Sequence, residues 1–176
     1  MDITSPPPVS ECLPVAHSWA VAWTKARAEK ALAEYFACRQ IPCFLPLVQI
    51  RRVYGKHIRH SQLPLFPSYV FFDERAVSRT CVFDSRKVAQ ILTPPDPLLL
   101  QDELANLALA LRADKSLRET RFGATGRPVY VARGPLKGLY GEFVRFGPQC
   151  RLIIRVGFIC RAAELAIDEA FVEPLH

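Results

Sequence analysis

The sequence predicts an α+β protein with two domains. We expect an N-terminal antiparallel sheet with flanking helices, a flexible linker, and a small C-terminal β-barrel of the SH3-like class. Three observations predict this division. Strand-like and helix-like apolar patterns alternate before residue 113. Residues 113–123 are rich in charge and poor in large apolar side chains. Short apolar runs separated by glycine turns follow, as in small barrels.

The predicted boundaries follow from composition along the 176 residues. A disordered leader covers 1–16, because this stretch holds three consecutive prolines and little apolar periodicity. The first domain covers 17–112, the linker 113–123 and the second domain 124–176. A chain of this length, half hydrophobic by residue count, is long enough for two small domains and too short for a large enzyme.

The elements of the first domain are predicted from periodicity and from proline breaks. Trp19, Val21 and Trp23 alternate with alanines, which predicts a strand with bulky side chains on one face. Apolar residues at helical spacing predict a helix over 27–39, and Pro42 prevents its continuation. We further predict strands over 43–53, 64–72 and 79–83, a hairpin tip at Gly55, a short helix over 85–90 and a helix capped by Asp102.

Composition and motifs exclude several classes of function. No apolar run reaches the roughly 18–20 residues of a membrane span, and the N-terminus lacks the pattern of a signal peptide. The six cysteines have irregular spacing and no CxxC pair, so we expect reduced, buried thiols, no metal and no cofactor. No nucleotide-binding, nucleophile-elbow or metalloprotease motif is present. We therefore expect a soluble cytoplasmic binding protein rather than an enzyme, and its net charge of +6 permits a polyanionic partner.

The segment over 64–72 is apolar on both faces of its predicted strand. Tyr69 and Phe71 point to one face, and Val70 and Phe72 point to the other. Amphipathic helices cover one of these faces. The other face is either a second core layer or an exposed aromatic patch that binds a partner, and composition leaves both interpretations open.

Several segments together carry a family resemblance. Residues 19–25, the helix with Glu29, residues 42–46 and residues 64–71 resemble the N-terminal (NGN) domain of NusG-type transcription elongation factors. Residues 126–141 resemble the KOW motif of the same family's C-terminal domain. The resemblance covers about 18–176 and implies a monomeric factor that rides on elongating RNA polymerase. It also implies a mechanical action, in which the factor suppresses pausing or termination.

The resemblance implies two binding surfaces in the first domain. Aromatic side chains of the sheet would dock on the clamp helices of the largest polymerase subunit, and the matching positions are Trp23, Phe66, Tyr69 and Phe71. A basic rim would contact nucleic acid, including the non-template DNA strand. Its candidates are Lys25, Arg79, Arg86 and Lys87, with Arg51, Arg52, Lys56 and Arg59 of the basic hairpin.

The resemblance also implies a partner site in the C-terminal domain, for a small-subunit ribosomal protein or the termination factor Rho. The matching positions are Phe158, Ile159 and Arg161. Housekeeping members have Phe-Gly-Arg where this chain has Ile159-Cys160-Arg161, and this departure favours a specialised, operon-specific antiterminator of the RfaH type. One such member covers its docking patch with a helical C-terminal domain. The helix propensity of 160–170 favours such a form, whereas the β-forming run over 152–159 argues against it.

Three other interpretations stay open. The chain resembles a housekeeping NusG-type factor that couples transcription to Rho or the ribosome. It also fits an RNA-binding, ribosome-associated KOW protein, because the sequence is basic. In the third interpretation it is an interaction domain unrelated to transcription, with its aromatic side chains buried.

Overall fold

The computed structural model describes residues 18–54, 57–113, 117–120, 126–147 and 149–175, and its strands and helices alternate as far as residue 113. In chain order the elements are β1 (Trp19–Thr24), α1 (Glu29–Ala37), β2 (Cys43–Phe44), β3 (Leu47–Tyr54), β4 (His57–Pro64), β5 (Tyr69–Asp73), α2 (Arg79–Asp84), β6 (Val88–Leu92), α3 (Pro97–Ala113), β7 (Arg118–Thr120), β8 (Arg127–Val131), β9 (Tyr140–Phe146), β10 (Gln149–Val156), β11 (Arg161–Ala166) and β12 (Val172–Pro174). Two compact units result. The described residues of the first unit are 18–46 and 67–97. The second unit consists of the described residues within 47–66 and 98–176.

The first unit is a four-stranded antiparallel sheet in the order β2-β5-β1-β6, with α1 on one face. Ala20 and Ala22 lie opposite Phe72 and Val70 in the β1–β5 register. These small alanines leave room for a helix to approach this face of the sheet. The ring of Phe36 in α1 stacks on Phe72 with 5.3 Å between centroids, and both rings are buried. One core layer of this unit therefore lies between α1 and the sheet.

The second unit contains the β3–β4 hairpin, α3 and a six-stranded antiparallel sheet in the order β12-β8-β9-β10-β11-β7. Val129, Leu152, Ile154 and Leu165 are among its buried core residues. Strands β9 and β10 approach closely at Gly141, where a Cβ atom would lie 2.4 Å from the Ile153 carbonyl oxygen. The predicted hairpin tip, Gly55 and Lys56, lies outside the described residues.

The α+β class is confirmed. Two of its elements, however, have a different secondary structure from the one predicted. The predicted strand over 79–83 is helix α2, because the Ser78 side chain accepts a hydrogen bond from the Cys81 backbone N–H and caps the helix. The predicted helix over 85–90 instead leads into β6, which pairs with β1. Helix α3 begins at Pro97 rather than after Asp102, since proline is favoured in the first helical turn.

Two predictions about the C-terminal half also change. The described part of the predicted linker includes buried Leu117 and the strand β7, which pairs with β11. The helix-prone segment over 160–170 contains β11, because its pairing with β10 and β7 overrides the local propensity. The C-terminal region in this structure is therefore the β form and not a helical one.

Candidate functional site

The sheet of the first unit has one face that is closed along most of its length. On the face opposite α1, Val21 lies beside Phe71 in the register, and Trp23 lies beside Tyr69. The ring centroids of Phe44 and Phe71 are 6.3 Å apart on this face. Phe44, Phe71 and Val21 are all fully buried, so this part of the face is core.

The same face opens at its Trp23 end. Trp23 is 45% exposed, and Tyr69 beside it is half-buried. On the other side of Trp23, the register places exposed Gln90 of β6. A row of Gln90, Trp23 and Tyr69 therefore crosses three strands at the surface. An indole exposed on a rigid strand can bind a partner without first being ordered.

Phe66 and Phe71 correct the expectation of an open four-ring patch. Both side chains have no exposed surface, so neither ring reaches a partner in this state. Alternate residues share a face of a strand, so Phe71 lies on the same face as Tyr69. Sharing a face does not decide exposure, which depends on what covers each end of the sheet.

A set of backbone bonds fixes the loops beside Trp23. The Thr24 N–H donates to the Ser68 carbonyl oxygen, and the Lys25 N–H donates to the Lys87 carbonyl oxygen, each at 2.8 Å. The Glu29 carboxylate accepts a hydrogen bond from the Ser68 N–H at 2.7 Å. These bonds bring three separate segments together at one end of the sheet.

Three residues at this end adopt the left-handed backbone conformation. They are Arg27, Ser68 and Arg86, with φ of 59°, 69° and 59°. This conformation costs energy for residues other than glycine, and it concentrates at functional sites. The hydrogen bonds around these three residues therefore hold the backbone in a conformation that it would otherwise avoid.

Four cations converge on the same loops, and we call them the basic corner: Lys25, Arg27, Arg86 and Lys87. The sequence pointed to three of these, and Arg27 was missed because no motif singles it out. Of the acids near these loops, Glu29 is buried and its carboxylate binds the Ser68 N–H, whereas Asp84 is exposed two residues before Arg86. The basic corner adjoins Trp23, so an aromatic surface and a positive surface meet there.

Arg79 interacts with residues outside the basic corner. Its guanidinium donates to the Glu74 carboxylate at 2.5 Å and to the Thr93 hydroxyl at 2.6 Å. Arg79, which was predicted to contact nucleic acid, is thus ion-paired with Glu74 while most of its side chain stays exposed. Its role in binding nucleic acid stays a prediction.

The basic hairpin is described through its backbone. In the register of β3 and β4, Arg51 lies opposite His60, and Arg52 lies opposite Arg59. Lys56, which was predicted with them, falls outside the described residues. The hairpin groups with the second compact unit rather than with the sheet of the first.

The three C-terminal candidates lie at the connection between β10 and β11, with Arg161 as the first residue of β11. Phe158 is half-buried in a 3-10 helix, Gly157–Ile159, and Ile159 is buried. Arg161 donates to the Glu119 carboxylate of β7 at 2.9 Å. Cys160 between them is exposed and left-handed, with φ of 51°. The expected apolar edge is thus reduced to Phe158, because Ile159 belongs to the core.

The cysteines differ in environment more than the sequence predicts. Cys43 is buried, and this burial raises the pKa of its thiol to about 12. Cys38 and Cys160 are exposed, which corrects the expectation that the thiols are buried. Among the described residues no group of histidines, cysteines and carboxylates could hold a metal ion. No helix in the described part of the chain has the length and apolarity to cross a membrane.

Comparison with known proteins identifies the family. A family model described as "Transcription termination factor nusG" matches residues 17–108, which is more than half of the chain. The chain belongs to the NusG family. No curated protein sequence matches it. Among solved structures, the chain is similar to one titled "Domain interaction in Thermotoga maritima NusG", at 16% identity and a TM-score of 0.46, covering 90% of this chain and 97% of that one.

The NusG match contains the open end of the sheet and the basic corner in full. Trp23, Tyr69, Lys25 and Lys87 all lie between residues 17 and 108. The sheet formed by β7–β12 lies beyond the matched residues, so its assignment as a KOW domain stays a prediction. A NusG-family protein is a transcription factor.

Proposed function

We propose that this NusG-family protein is a transcription elongation and antitermination factor that binds the clamp helices of elongating RNA polymerase. The observation that carries the proposal is the exposed Trp23 on a rigid strand, with half-buried Tyr69 beside it. Trp and Tyr are the residue types that most often dominate binding energy at interfaces. The proposed contact is therefore smaller than the four-ring patch expected from the sequence, and it centres on Trp23.

The basic corner is the proposed contact for nucleic acid in the polymerase cleft, including the non-template DNA strand. Lys25, Arg27, Arg86 and Lys87 supply four positive charges on loops that backbone hydrogen bonds hold in place. Each cation that neutralises a phosphate releases a counterion, so affinity at this surface depends on salt. The Trp23 contact is largely apolar and should depend on salt much less.

The proposed action is a shift between states of the polymerase and needs no catalytic residue. The factor must bind the active, closed state more tightly than the opened state that precedes pausing. A paused state populated at about 10% falls to about 1% when the factor favours its competitor by about 1.4 kcal/mol. One aromatic contact that forms only in the closed state is sufficient for this effect.

We propose a specialised, operon-specific role over a housekeeping role. Housekeeping members have Phe-Gly-Arg where this chain has Ile159-Cys160-Arg161. Here Ile159 is buried and Arg161 is bound to Glu119, which supports a reduced surface for Rho or the ribosome. The left-handed φ of Cys160 supports the alignment with glycine, because glycine adopts that conformation without strain.

Co-purification with core RNA polymerase tests the proposal. We expect the full chain to bind the purified core enzyme, and Trp23→Ala with Tyr69→Ala to abolish binding while the thermal melt is retained. Phe83→Ala is the matched control, because Phe83 is 46% exposed on α2 of the same unit. Equal binding by the wild type and the double variant would contradict the proposal.

A salt titration distinguishes the proposed polymerase-binding factor from the alternative, an RNA-binding KOW protein. A KOW protein that binds RNA predicts steep loss of RNA affinity with salt and no effect of the Trp23 and Tyr69 substitutions. The proposed factor predicts the opposite pattern for polymerase: loss of binding with the two substitutions and a weaker salt dependence.

A further inference from the structure

A buried carboxylate of α1 binds the residue that precedes β5. Glu29 lies in the first turn of the helix, and its Oε1 atom accepts a hydrogen bond from the Ser68 N–H at 2.7 Å. Taking a carboxylate out of water costs free energy unless strong hydrogen bonds replace its hydration. A bond from a backbone N–H to a carboxylate is of this strong, charge-assisted kind. Glu29 therefore joins α1 to the start of β5 through one specific contact.

Ser68 uses its two backbone groups for two different partners. Its carbonyl oxygen accepts from the Thr24 N–H at 2.8 Å, which continues the pairing of β1 with β5 one residue beyond Trp23 and Tyr69. Its N–H binds the Glu29 carboxylate on α1. Ser68 is thus held by the strand on one side and by the helix on the other, directly beside the exposed pair of rings.

The backbone conformation of Ser68 needs this support. Ser68 has φ of 69° and follows Pro67 in a turn. A residue with positive φ directly after a turn proline is usually glycine or asparagine, because the Cβ atom of other residues is crowded in this conformation. The two hydrogen bonds of Ser68 favour the left-handed conformation that serine would otherwise avoid. This conformation sets the direction in which the chain enters β5 at Tyr69.

The apolar packing of α1 is separate from the Glu29 contact. Leu32, Ala33 and Phe36 are buried, and the Phe36 ring stacks on Phe72 in the middle of the sheet. These residues provide the hydrophobic burial that holds the helix on the sheet. Loss of the Glu29 bond removes none of them, so its effect should be confined to the end of the sheet at Ser68.

We propose that Glu29 is a positioning residue for the Gln90–Trp23–Tyr69 row. Through Ser68, Glu29 fixes the backbone from which Tyr69 projects beside Trp23. Glu29 is buried, so it acts without touching a partner itself. A surface whose rings are already in place binds a partner with a smaller loss of conformational entropy. The effect on polymerase binding rests on the proposed function, whereas the effect on Ser68 and Tyr69 does not.

Amide hydrogen exchange, measured by NMR on the full chain, tests the loop contact without a partner. Glu29→Ala removes the acceptor, so exchange at the Ser68 N–H should accelerate about tenfold or more. Glu34→Ala is the matched control, because it makes the same change at an exposed position of α1. Exchange at Ala20 and Phe72, a pair in the middle of the β1–β5 register, should change in neither variant.

Affinity for a purified clamp-helix fragment tests the positioning role. Glu29→Gln removes the charge and keeps a side-chain oxygen that can accept from the Ser68 N–H. We expect Kd to weaken about fivefold or more in Glu29→Ala, and to stay within about twofold of the wild type in Glu29→Gln and Glu34→Ala. The NMR signals of the Trp23 indole N–H and the Tyr69 amide should shift in Glu29→Ala and return in Glu29→Gln.

Four results would overturn the proposal. Unchanged exchange at Ser68 in Glu29→Ala would mean that the bond does not hold the loop. Faster exchange at Ser68 with unchanged affinity would mean that the loop does not position the row. Equal losses of affinity in Glu29→Ala and Glu29→Gln would assign the effect to the charge rather than to the hydrogen bond. Faster exchange at Ala20 and Phe72 in Glu29→Ala would make Glu29 a residue of the fold as a whole.

Failure of the proposed function gives a different result. In that case the wild type itself does not bind the clamp-helix fragment. Exchange at Ser68 and the Tyr69 signal in Glu29→Ala then still decide whether Glu29 holds this end of the sheet.

Discussion

Trp23 and Phe71 lie on the same face of one sheet, on adjacent strands, yet Trp23 is 45% exposed and Phe71 is fully buried. The boundary between core and surface on this face therefore lies between the Val21–Phe71 pair, which is buried, and the Trp23–Tyr69 pair. The exposed ring is the one at the end of β1, where the chain turns into the basic corner.

The two rings should respond differently to truncation. Phe71→Ala should lower the free energy of unfolding by about 3–5 kcal/mol, because it leaves a cavity against Phe44. Trp23→Ala should change it by about 1 kcal/mol or less, because its ring is nearly half exposed. Urea unfolding of both variants measures this. Equal destabilisation would mean that Trp23 is also a core residue.

Charge reversal in the basic corner should weaken nucleic-acid binding. Lys87→Glu should reduce affinity for single-stranded DNA and lower the salt dependence by about one ion, since one phosphate contact is lost. Arg75→Glu is the matched control, because Arg75 is exposed in the same unit outside the corner. Fluorescence anisotropy at several salt concentrations gives both slopes. The assignment fails if the two variants lose affinity equally.

Cys43 should resist alkylation while Cys38 and Cys160 react. With a pKa of about 12, only about one in ten thousand Cys43 thiols is ionised at pH 8, and the side chain is also buried. Iodoacetamide followed by peptide mass spectrometry measures the three sites. Labelling of Cys43 at the rate of Cys38 in folded protein would contradict its burial.

The same pKa shift predicts how stability depends on pH. The folded pKa of Cys43 is raised above its ordinary value of 9.0, so the unfolded state loses this proton first as the pH rises. The contribution is fully present below about pH 9 and declines between there and about pH 12. Cys43→Ala should remove this part of the decline in a pH series of thermal melts. An unchanged slope would assign it to other groups.

Cys160→Gly should retain or increase stability despite replacing a larger residue. Cys160 is exposed and left-handed, a conformation that costs a non-glycine residue about 1 kcal/mol and costs glycine nothing. The greater freedom of glycine in the unfolded chain offsets part of this gain. Thermal unfolding compares it with Cys38→Gly, at an exposed cysteine that has an ordinary helical φ of −61°. A loss of stability at residue 160 as large as that at residue 38 would contradict the strain.

The sequence predicted those parts of the fold that local patterns decide. The alternation around Val21 identified β1, and the helical spacing around Phe36 identified α1. The short apolar run at Val82 and Phe83 fits a strand or a helix equally well, and only the Ser78 cap decides for the helix. Strand β6 depends on pairing with β1, which no local pattern encodes.

For the candidate site, too, the sequence predicts the residue types but not the contacts between distant segments. The types of residue at Trp23 and Lys25 were evident from the sequence, and the family resemblance assigned their roles. The meeting of Lys25 with Lys87, about sixty residues away, depends on a backbone bond between distant segments. Burial of Phe66 and pairing of Arg79 with Glu74 depend on tertiary contacts, so the sequence could not exclude either residue.

Affinity for a purified clamp-helix fragment of RNA polymerase tests the central claim most directly. Isothermal titration should give a Kd at least about 30-fold weaker for Trp23→Ala than for the wild type, as expected when an interface loses a central aromatic residue. Phe83→Ala should bind like the wild type, because Phe83 lies on α2 and is not part of the Gln90–Trp23–Tyr69 row. Equal affinity of Trp23→Ala and the wild type would contradict the assignment of this end of the sheet as the polymerase contact.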